Sequence, residues 1–145
     1  MAKARILIID DETRWAESFL DELKLADYEY VYQTETDEAM VYFHENSDKL
    51  DVLILDIMMP PGTTLKASTD QGLDTGIKLY DQIRAKAPHL PVIVFTNVTG
   101  REVAQKFLNE VDCWLYPKSD LLPFELVEEI EEILKDKRAR KSDDK

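Results

Sequence analysis

The sequence predicts an α/β fold in which one parallel five-stranded sheet carries helices on both faces. Five short apolar, β-branched runs alternate with stretches of helical periodicity. Four of the runs are almost continuously apolar, as expected for strands covered on both faces, whereas the second alternates and is predicted to lie at an edge. The runs occupy residues 6–9, 28–32, 52–55, 92–95 and 113–116.

Apolar residues at three- and four-residue spacings between these runs predict five helices. The stripes comprise Trp15, Phe19 and Leu23; Ala39, Met40 and Phe43; Ile77, Tyr80, Ile83 and Ala87; Val103, Phe107 and Val111; and Phe124, Val127, Ile130, Ile133 and Leu134. We expect the N-cap of the second helix at Thr36 or Asp37. Strict alternation implies right-handed crossovers and a doubly wound, flavodoxin-like (βα)5 sheet with strand order 2-1-3-4-5.

The length of 145 residues predicts a single domain, which we place at residues 1–141 with a polar tail at 142–145. One irregular stretch, at about residues 61–75, interrupts the pattern between the third strand and the third helix. Loops of this length in compact domains are usually functional or mobile. We expect it to cover the site, to contact a partner or to remain solvated.

The charge distribution argues against binding to nucleic acid. The net charge is −12, and residues 1–134 carry 12 Lys and Arg against 27 Asp and Glu, while the last eleven carry +3. Phosphate backbones would be repelled by such a surface. The single cysteine, Cys113, lies in an apolar run, which favours a buried thiol in a reducing compartment. With no export or membrane signal recognised, we expect a cytoplasmic protein.

Polar residues follow four of the predicted strands where each strand ends. They are Asp10 and Asp11 after the first, Asp56 after the third, Thr96 after the fourth and Lys118 beyond the fifth. In a doubly wound sheet, ligands bind outside the carboxyl ends of the strands. Three carboxylates brought together there would repel one another unless a cation lies among them. Oxygen ligands of this kind favour Mg²⁺, and the Lys118 ammonium could help to neutralise a phosphoryl group.

Four segments resemble the motifs of response regulator receiver domains. They are Ile-Ile-Asp-Asp-Glu at 8–12, Leu-Asp-Ile-Met-Met-Pro at 55–60, Val-Phe-Thr at 94–96, and Lys118. The resemblance covers about residues 4–134. It implies a phosphoacceptor module of a two-component or phosphorelay system, in which Asp56 takes a phosphoryl group from a phosphohistidine and forms an aspartyl phosphate.

The resemblance also implies a role for each matching residue. Asp11 and Asp56 would ligate Mg²⁺ directly, Asp10 would do so largely through water, and the backbone carbonyl of Met58 would be a further ligand. Lys118 would pair with the phosphoryl group, and Thr96 would be the switch hydroxyl. The switch aromatic is expected to be Tyr116 or Trp114, because Leu115 occupies the family's usual position for it.

The partners implied are a sensor histidine kinase or histidine phosphotransfer protein and a downstream protein target. We expect a signalling domain rather than a turnover enzyme, without nucleic-acid binding or membrane insertion, and homodimer formation on phosphorylation remains open. About ten residues follow the last predicted helix, so we expect output to pass through another protein.

Three alternatives remain open at the level of sequence. A receiver-like module could bind partners without being phosphorylated. A phosphohydrolase of the haloacid-dehalogenase type also uses an Asp nucleophile and Mg²⁺, but its nucleophile should end the first strand. A flavin-binding module is the third alternative, although its phosphate loop should be rich in Ser, Thr and Gly, whereas this chain has Asp-Asp-Glu-Thr at 10–13.

Overall fold

The computed structural model describes residues 4–58, 73–97 and 101–143 and has the predicted α/β architecture. Five strands and five α-helices alternate along the described chain. In order they are β1 (Arg5–Ile9), α1 (Thr13–Leu25), β2 (Glu29–Gln33), α2 (Thr36–Asn46), β3 (Val52–Leu55), α3 (Leu73–Lys86), β4 (Val92–Thr96), α4 (Arg101–Leu108), β5 (Cys113–Pro117) and α5 (Pro123–Asp143).

All strand pairs are parallel, and the strand order β2-β1-β3-β4-β5 confirms the prediction. The strand order reverses at β1, which lies between β2 and β3. Ile9 pairs with both Gln33 and Leu55, so the chain leaves β1 and β3 side by side at their carboxyl ends. Ligand sites in such sheets lie at this reversal. The predicted edge position of β2 is also confirmed.

Two apolar clusters cover the two faces of the sheet. The cluster formed with α2, α3 and α4 includes Phe43, Tyr80 and Phe107. The cluster formed with α1 and α5 includes Phe19 and Ile130. Residues 6–9 of β1 and all residues of β3 and β4 are fully or almost fully buried, which explains why these runs lack the alternation of half-exposed strands.

Several predictions at helix ends were wrong. Helix α4 ends at Leu108, so Val111 lies beyond it and is 72% exposed. In α5 the buried stripe includes Leu126 rather than Phe124, which is 49% exposed. The N-cap of α2 is Glu35, and Thr36 is the first helical residue. These errors arise because periodicity alone does not locate the end of a helix.

The boundaries of the irregular stretch and the tail also differ from expectation. Helix α3 begins at Leu73, so residues 73–75 of the predicted loop are helical. The remainder of that prediction lies outside the described residues, as does the side chain of Trp15. Helix α5 runs to Asp143, into the predicted tail. None of the described helices is long and apolar enough to cross a membrane.

Arg84 connects the end of α3 to two loops on the side of the sheet away from the strands' carboxyl ends. Its guanidinium donates hydrogen bonds to the carbonyl oxygens of Ala87, Pro88, Leu90 and Asp112 over 2.7–3.2 Å, and Nε donates to the Tyr80 hydroxyl at 3.2 Å. Asp112 has a φ of 55°, so this bond holds a residue whose backbone is strained.

We expect Arg84→Lys to lower the free energy of unfolding by about 2 kcal/mol, because an ammonium cannot reach these acceptors together. Urea unfolding would measure the change. Lys86→Ala, an exposed change two residues further along α3, serves as the control. A loss for Arg84→Lys no larger than that of the control would contradict this role for Arg84.

Candidate functional site: an acidic pocket at the carboxyl ends of the strands

The structure brings Asp10, Asp56, Thr96 and Lys118 together in one pocket. The amide of Asp56 donates to the carbonyl oxygen of Ile9 at 2.9 Å, and the amide of Asp10 donates to that of Gln33 at 3.1 Å. These bonds continue the strand pairing beyond β1 and β3, so both carboxylates emerge at the same edge. Asp10 is 2% exposed, Asp56 is 1% exposed and Thr96 is fully buried.

Three groups hold the Asp56 carboxylate. Oδ1 accepts hydrogen bonds from the hydroxyl of Thr96 at 2.8 Å and from the backbone amide of Met58 at 3.0 Å. Oδ2 accepts one from the ammonium of Lys118 at 2.8 Å. The carboxylate is therefore fixed in orientation, and each of its oxygens has a defined neighbour.

Lys118 neutralises more than one carboxylate. Its ammonium lies 2.8 Å from Oδ2 of Asp10, 2.8 Å from Oδ2 of Asp56 and 3.5 Å from Oε1 of Glu12, and only 7% of its side chain is exposed. Burial lowers the pKa of this ammonium, but hydrogen bonds to Asp10 and Asp56 raise it more, so the pKa is above its usual value. Lys118 is consequently a permanent cation of the pocket.

The carboxylates of Asp10, Asp11 and Asp56 form a candidate metal site. One oxygen from each lies within 4.8 Å of the other two, and Asp11 is the exposed member of the set. Three acidic oxygens around one point match the ligand preference of Mg²⁺, which usually binds through a few carboxylates and keeps several waters. The residues present thus fit the cation that the sequence predicts.

Removal from water, and to a smaller extent the charge of Asp56, raises the pKa values of Asp10 and Asp11. Burial raises the pKa of Asp10 to about 7; the charge of Asp56 adds to this rise, while the hydrogen bond from Lys118 opposes it. Partial desolvation, followed by the charge of Asp56, also raises the pKa of Asp11, which is otherwise exposed. A cation held among these groups would favour their ionised forms.

The raised pKa of Asp10 makes the metal-free protein less stable as the pH rises. Between about pH 4 and pH 7 the folded carboxyl keeps a proton that the unfolded one has released, so the folded state binds more protons. The free energy of unfolding should fall by up to about 1.4 kcal/mol per pH unit in this window and level off above it.

Urea unfolding in chelator, from pH 4.5 to 8, tests this dependence. The difference between wild type and Asp10→Asn reports the contribution of Asp10 together with its interactions with Asp56 and Lys118, because the remaining acidic groups are common to both proteins. We expect the free energy of unfolding of wild type to fall relative to that of Asp10→Asn as the pH rises, and added Mg²⁺ to reduce this fall. A difference between the two proteins that stays constant, or that favours wild type at high pH, would contradict the pH dependence attributed to Asp10.

Two features of the site were not predicted from the sequence. Gly76 of α3 packs so closely that an added Cβ would overlap the carbonyl oxygen, Cα and carbonyl carbon of Ile57, the residue after Asp56. A glycine within an amphipathic helical pattern was the available signal. The second feature is the contact between Asn97 and Glu12, in which Nδ2 donates to Oε1 at 3.1 Å and to Oε2 at 3.4 Å.

The two aromatic candidates lie on the sheet face opposite to Thr96. Trp114 and Tyr116 pack against the α1–α5 cluster. Leu115 packs against the other cluster, which also contains Val94. Because side chains two residues apart in a strand point to the same face, Thr96 lies on the face of Val94 and therefore on that of Leu115. Tyr116 donates to Oε2 of Glu129 in α5 at 2.8 Å. An aromatic side chain moving next to Thr96 would have to cross the sheet, so this arrangement does not favour rotation of either aromatic into that space.

A sheet of this order with an acidic pocket at its strand reversal defines the class of doubly wound α/β proteins that bind ligands at that point. Comparisons with known proteins narrow the class. The profile of the response regulator receiver domain matches residues 6–114, and the chain therefore belongs to that family.

Solved structures of receiver domains share the fold along nearly the whole chain. A CheY-like receiver domain protein from Methanospirillum hungatei has a TM-score of 0.75 at 22% identity, covering 94% of this chain and 98% of its own. One from Clostridium thermocellum has a TM-score of 0.74 at 25% identity, with the same coverages. Chemotaxis protein CheY4 of Vibrio cholerae has a TM-score of 0.71 at 21% identity, covering 91% and 99%. No curated protein matches the chain significantly.

Proposed function

We propose that the chain is a phosphoacceptor that takes a phosphoryl group on Asp56 with Mg²⁺ and signals to a protein partner. The family supports this, since receiver domains are signalling modules of two-component systems. The observation that carries the proposal is the Asp56 carboxylate, which is buried, oriented by Thr96 and Met58 and paired with Lys118. A merely structural aspartate would not need an adjoining set of acidic oxygens.

The metal would be held by Asp11 and Asp56, by Asp10 largely through water, and by the carbonyl oxygen of Met58. When bound, it would neutralise charge on the phosphoryl oxygens and lower the mutual repulsion of the carboxylates. The raised pKa values of Asp10 and Asp11 support this assignment.

In the phosphoryl transfer the protein would form one covalent bond, at Asp56, and would otherwise position groups and neutralise charge. An oxygen of Asp56 forms a bond to phosphorus as the bond from phosphorus to the donor's imidazole nitrogen breaks, and the imidazole keeps the bonding electrons. Lys118 places a positive charge where the equatorial oxygens gain negative charge. Because this ammonium is already fixed within 2.8 Å of Asp56, it needs little reorganisation during transfer.

Thr96 would carry the signal away from the site. Its hydroxyl bonds Asp56 in the unmodified protein, and a phosphoryl oxygen would become its new acceptor, moving the end of β4. Of the two aromatic candidates, we favour Tyr116, because it pairs with Phe95 in the sheet and bonds Glu129 of α5. This connection would transmit a shift of β4 and β5 to α5 without any side chain crossing the sheet.

Three other functions compete with that of a phosphoacceptor. Membership of the receiver family favours phosphotransfer signalling over a dehalogenase-type hydrolase or a flavin-binding module. An interaction module that is never phosphorylated is the remaining competitor. It would share the fold, so only chemistry at Asp56 separates it from the proposed phosphoacceptor.

Intact-mass spectrometry after incubation with acetyl phosphate and Mg²⁺ tests the proposal. Wild type should gain one phosphoryl group, whereas Asp56→Asn and wild type in chelator should gain none. Asp81→Asn, an exposed change on α3, is the matched control and should behave as wild type. Absence of any gain in wild type would favour the interaction module, provided that beryllofluoride with Mg²⁺ also fails to bind.

A further inference from the structure

A fourth carboxylate lies at the pocket and is kept out of the candidate metal site. Glu12 directly follows Asp11, and its Oε1 lies 3.5 Å from the same ammonium that contacts Asp10 and Asp56. Because Glu12 shares the Lys118 ammonium with two members of the candidate metal site, its carboxylate lies close to that site. The set of oxygens that could hold an ion nevertheless comprises Asp10, Asp11 and Asp56 only, among the residues described.

The contacts of Glu12 explain its exclusion. Both of its oxygens accept from the side-chain amide of Asn97, at 3.1 and 3.4 Å, which joins the segment after β1 to the segment after β4. The Glu12 backbone amide meanwhile donates to Oδ1 of Asp10 at 2.8 Å, which fixes the main chain at the same point. The side chain of Glu12 is thus held at Asn97, in the segment after β4.

We propose that Asn97 is a specificity-determining residue that holds Glu12 away from the cation and so makes the site select Mg²⁺ over Ca²⁺. This inference rests on the metal site of the proposed function. Asn97 acts through Glu12 and is not itself a ligand. Its amide satisfies the carboxylate oxygens that would otherwise turn towards the ion.

The selectivity follows from the coordination preferences of the two ions. Mg²⁺ takes six ligands at short distance and retains several waters, so three carboxylates suffice for it. Ca²⁺ accepts six to eight oxygens at longer distance, and its affinity rises with the number of charged ligands. Releasing Glu12 would add a fourth carboxylate ligand, which should raise the affinity for Ca²⁺ more than the affinity for Mg²⁺.

The test is isothermal titration calorimetry of the unphosphorylated full chain with Mg²⁺ and with Ca²⁺. Four proteins complete a double-mutant cycle: wild type, Asn97→Ala, Glu12→Gln and the combination of both. Asn46→Ala is the matched control, because Asn46 is an asparagine of α2 whose side-chain amide donates a hydrogen bond to the carbonyl oxygen of Tyr42 and not to a carboxylate of the pocket. Circular dichroism confirms that each variant is folded.

We expect Asn97→Ala to lower the ratio of the Ca²⁺ to the Mg²⁺ dissociation constant about tenfold, and Asn46→Ala to leave it unchanged. In the Glu12→Gln background, Asn97→Ala should have no such effect, because the carboxylate that it releases is gone. An unchanged ratio in Asn97→Ala, or an equal change in both backgrounds, overturns this inference and leaves the proposed function untouched. If wild type binds neither ion, the metal site of the proposed function fails and the inference fails with it.

Discussion

Lys118→Met should destabilise the metal-free protein by about 3 kcal/mol at pH 8 and slow phosphoryl uptake at Asp56 at least about 100-fold. The ammonium is buried and lies 2.8 Å from both Asp10 and Asp56. Methionine keeps much of the aliphatic part of the lysine side chain but leaves two buried carboxylates without their cation. Urea unfolding and the rate of mass gain with acetyl phosphate measure the two effects.

Lys106→Met is the matched control for this experiment. Lys106 also pairs with a carboxylate, Asp81, at 2.9 Å, but this pair is exposed, with 32% and 54% of the two side chains accessible. Exposed pairs contribute about 1 kcal/mol or less. Mg²⁺ should restore part of the stability of Lys118→Met and leave Lys106→Met unaffected. Equal losses in the two variants would contradict the role assigned to the buried ammonium.

Gly76→Ala should destabilise the protein by about 3 kcal/mol and weaken phosphoryl uptake as well. A Cβ at this position would overlap three backbone atoms of Ile57, and backbone cannot move aside as the end of a side chain can. Ile57 lies between Asp56 and Met58, and the amide of Met58 orients the Asp56 carboxylate. We therefore expect the clash to displace the backbone of Ile57 and, through it, the neighbouring Asp56 and Met58.

The sign of this change decides between two effects. Alanine is favoured over glycine in a helix interior by about 1 kcal/mol, so helix propensity alone predicts a more stable protein. Lys78→Ala, an exposed change two residues further along α3, reports the effect of alanine in this helix without the clash. Thermal unfolding compares the two variants. A gain in stability for Gly76→Ala would show that the close approach is not maintained in solution.

β1, β3 and β4 were predictable from the sequence because their apolar residues are buried on both faces, and β2 was predictable because it alternates. β5 also has a continuous apolar run, but it is an edge strand whose residues are half-buried, so coverage on both faces was wrongly expected for it. Ile6 to Ile9 and Val92 to Val94 are almost entirely inaccessible, which leaves a continuous apolar run as their signature. Helix ends were less predictable. Val111 continues the spacing of α4 but follows its end, and Phe124 fits the stripe of α5 while Leu126 takes the buried place. Such ends depend on tertiary packing, which periodicity does not record.

The site was predictable to the extent that its residues end parallel strands. Asp10, Asp56, Thr96 and Lys118 meet because the sheet places the carboxyl ends of β1, β3, β4 and β5 at one edge. The contact of Asn97 with Glu12 spans 85 residues and depends on side-chain direction, which no local pattern specifies. The close approach of Gly76 to Ile57 likewise depends on how α3 packs against the chain after β3.

The central claim is that Asp56 is the phosphoacceptor, and chemical trapping at that residue tests it most directly. Borohydride reduces an aspartyl phosphate to homoserine, which peptide sequencing by tandem mass spectrometry then locates. After treatment with acetyl phosphate and Mg²⁺, we predict homoserine at position 56, unmodified Asp10 and Asp11, and no conversion in chelator. Homoserine at another aspartate, or equal conversion without Mg²⁺, would contradict the account.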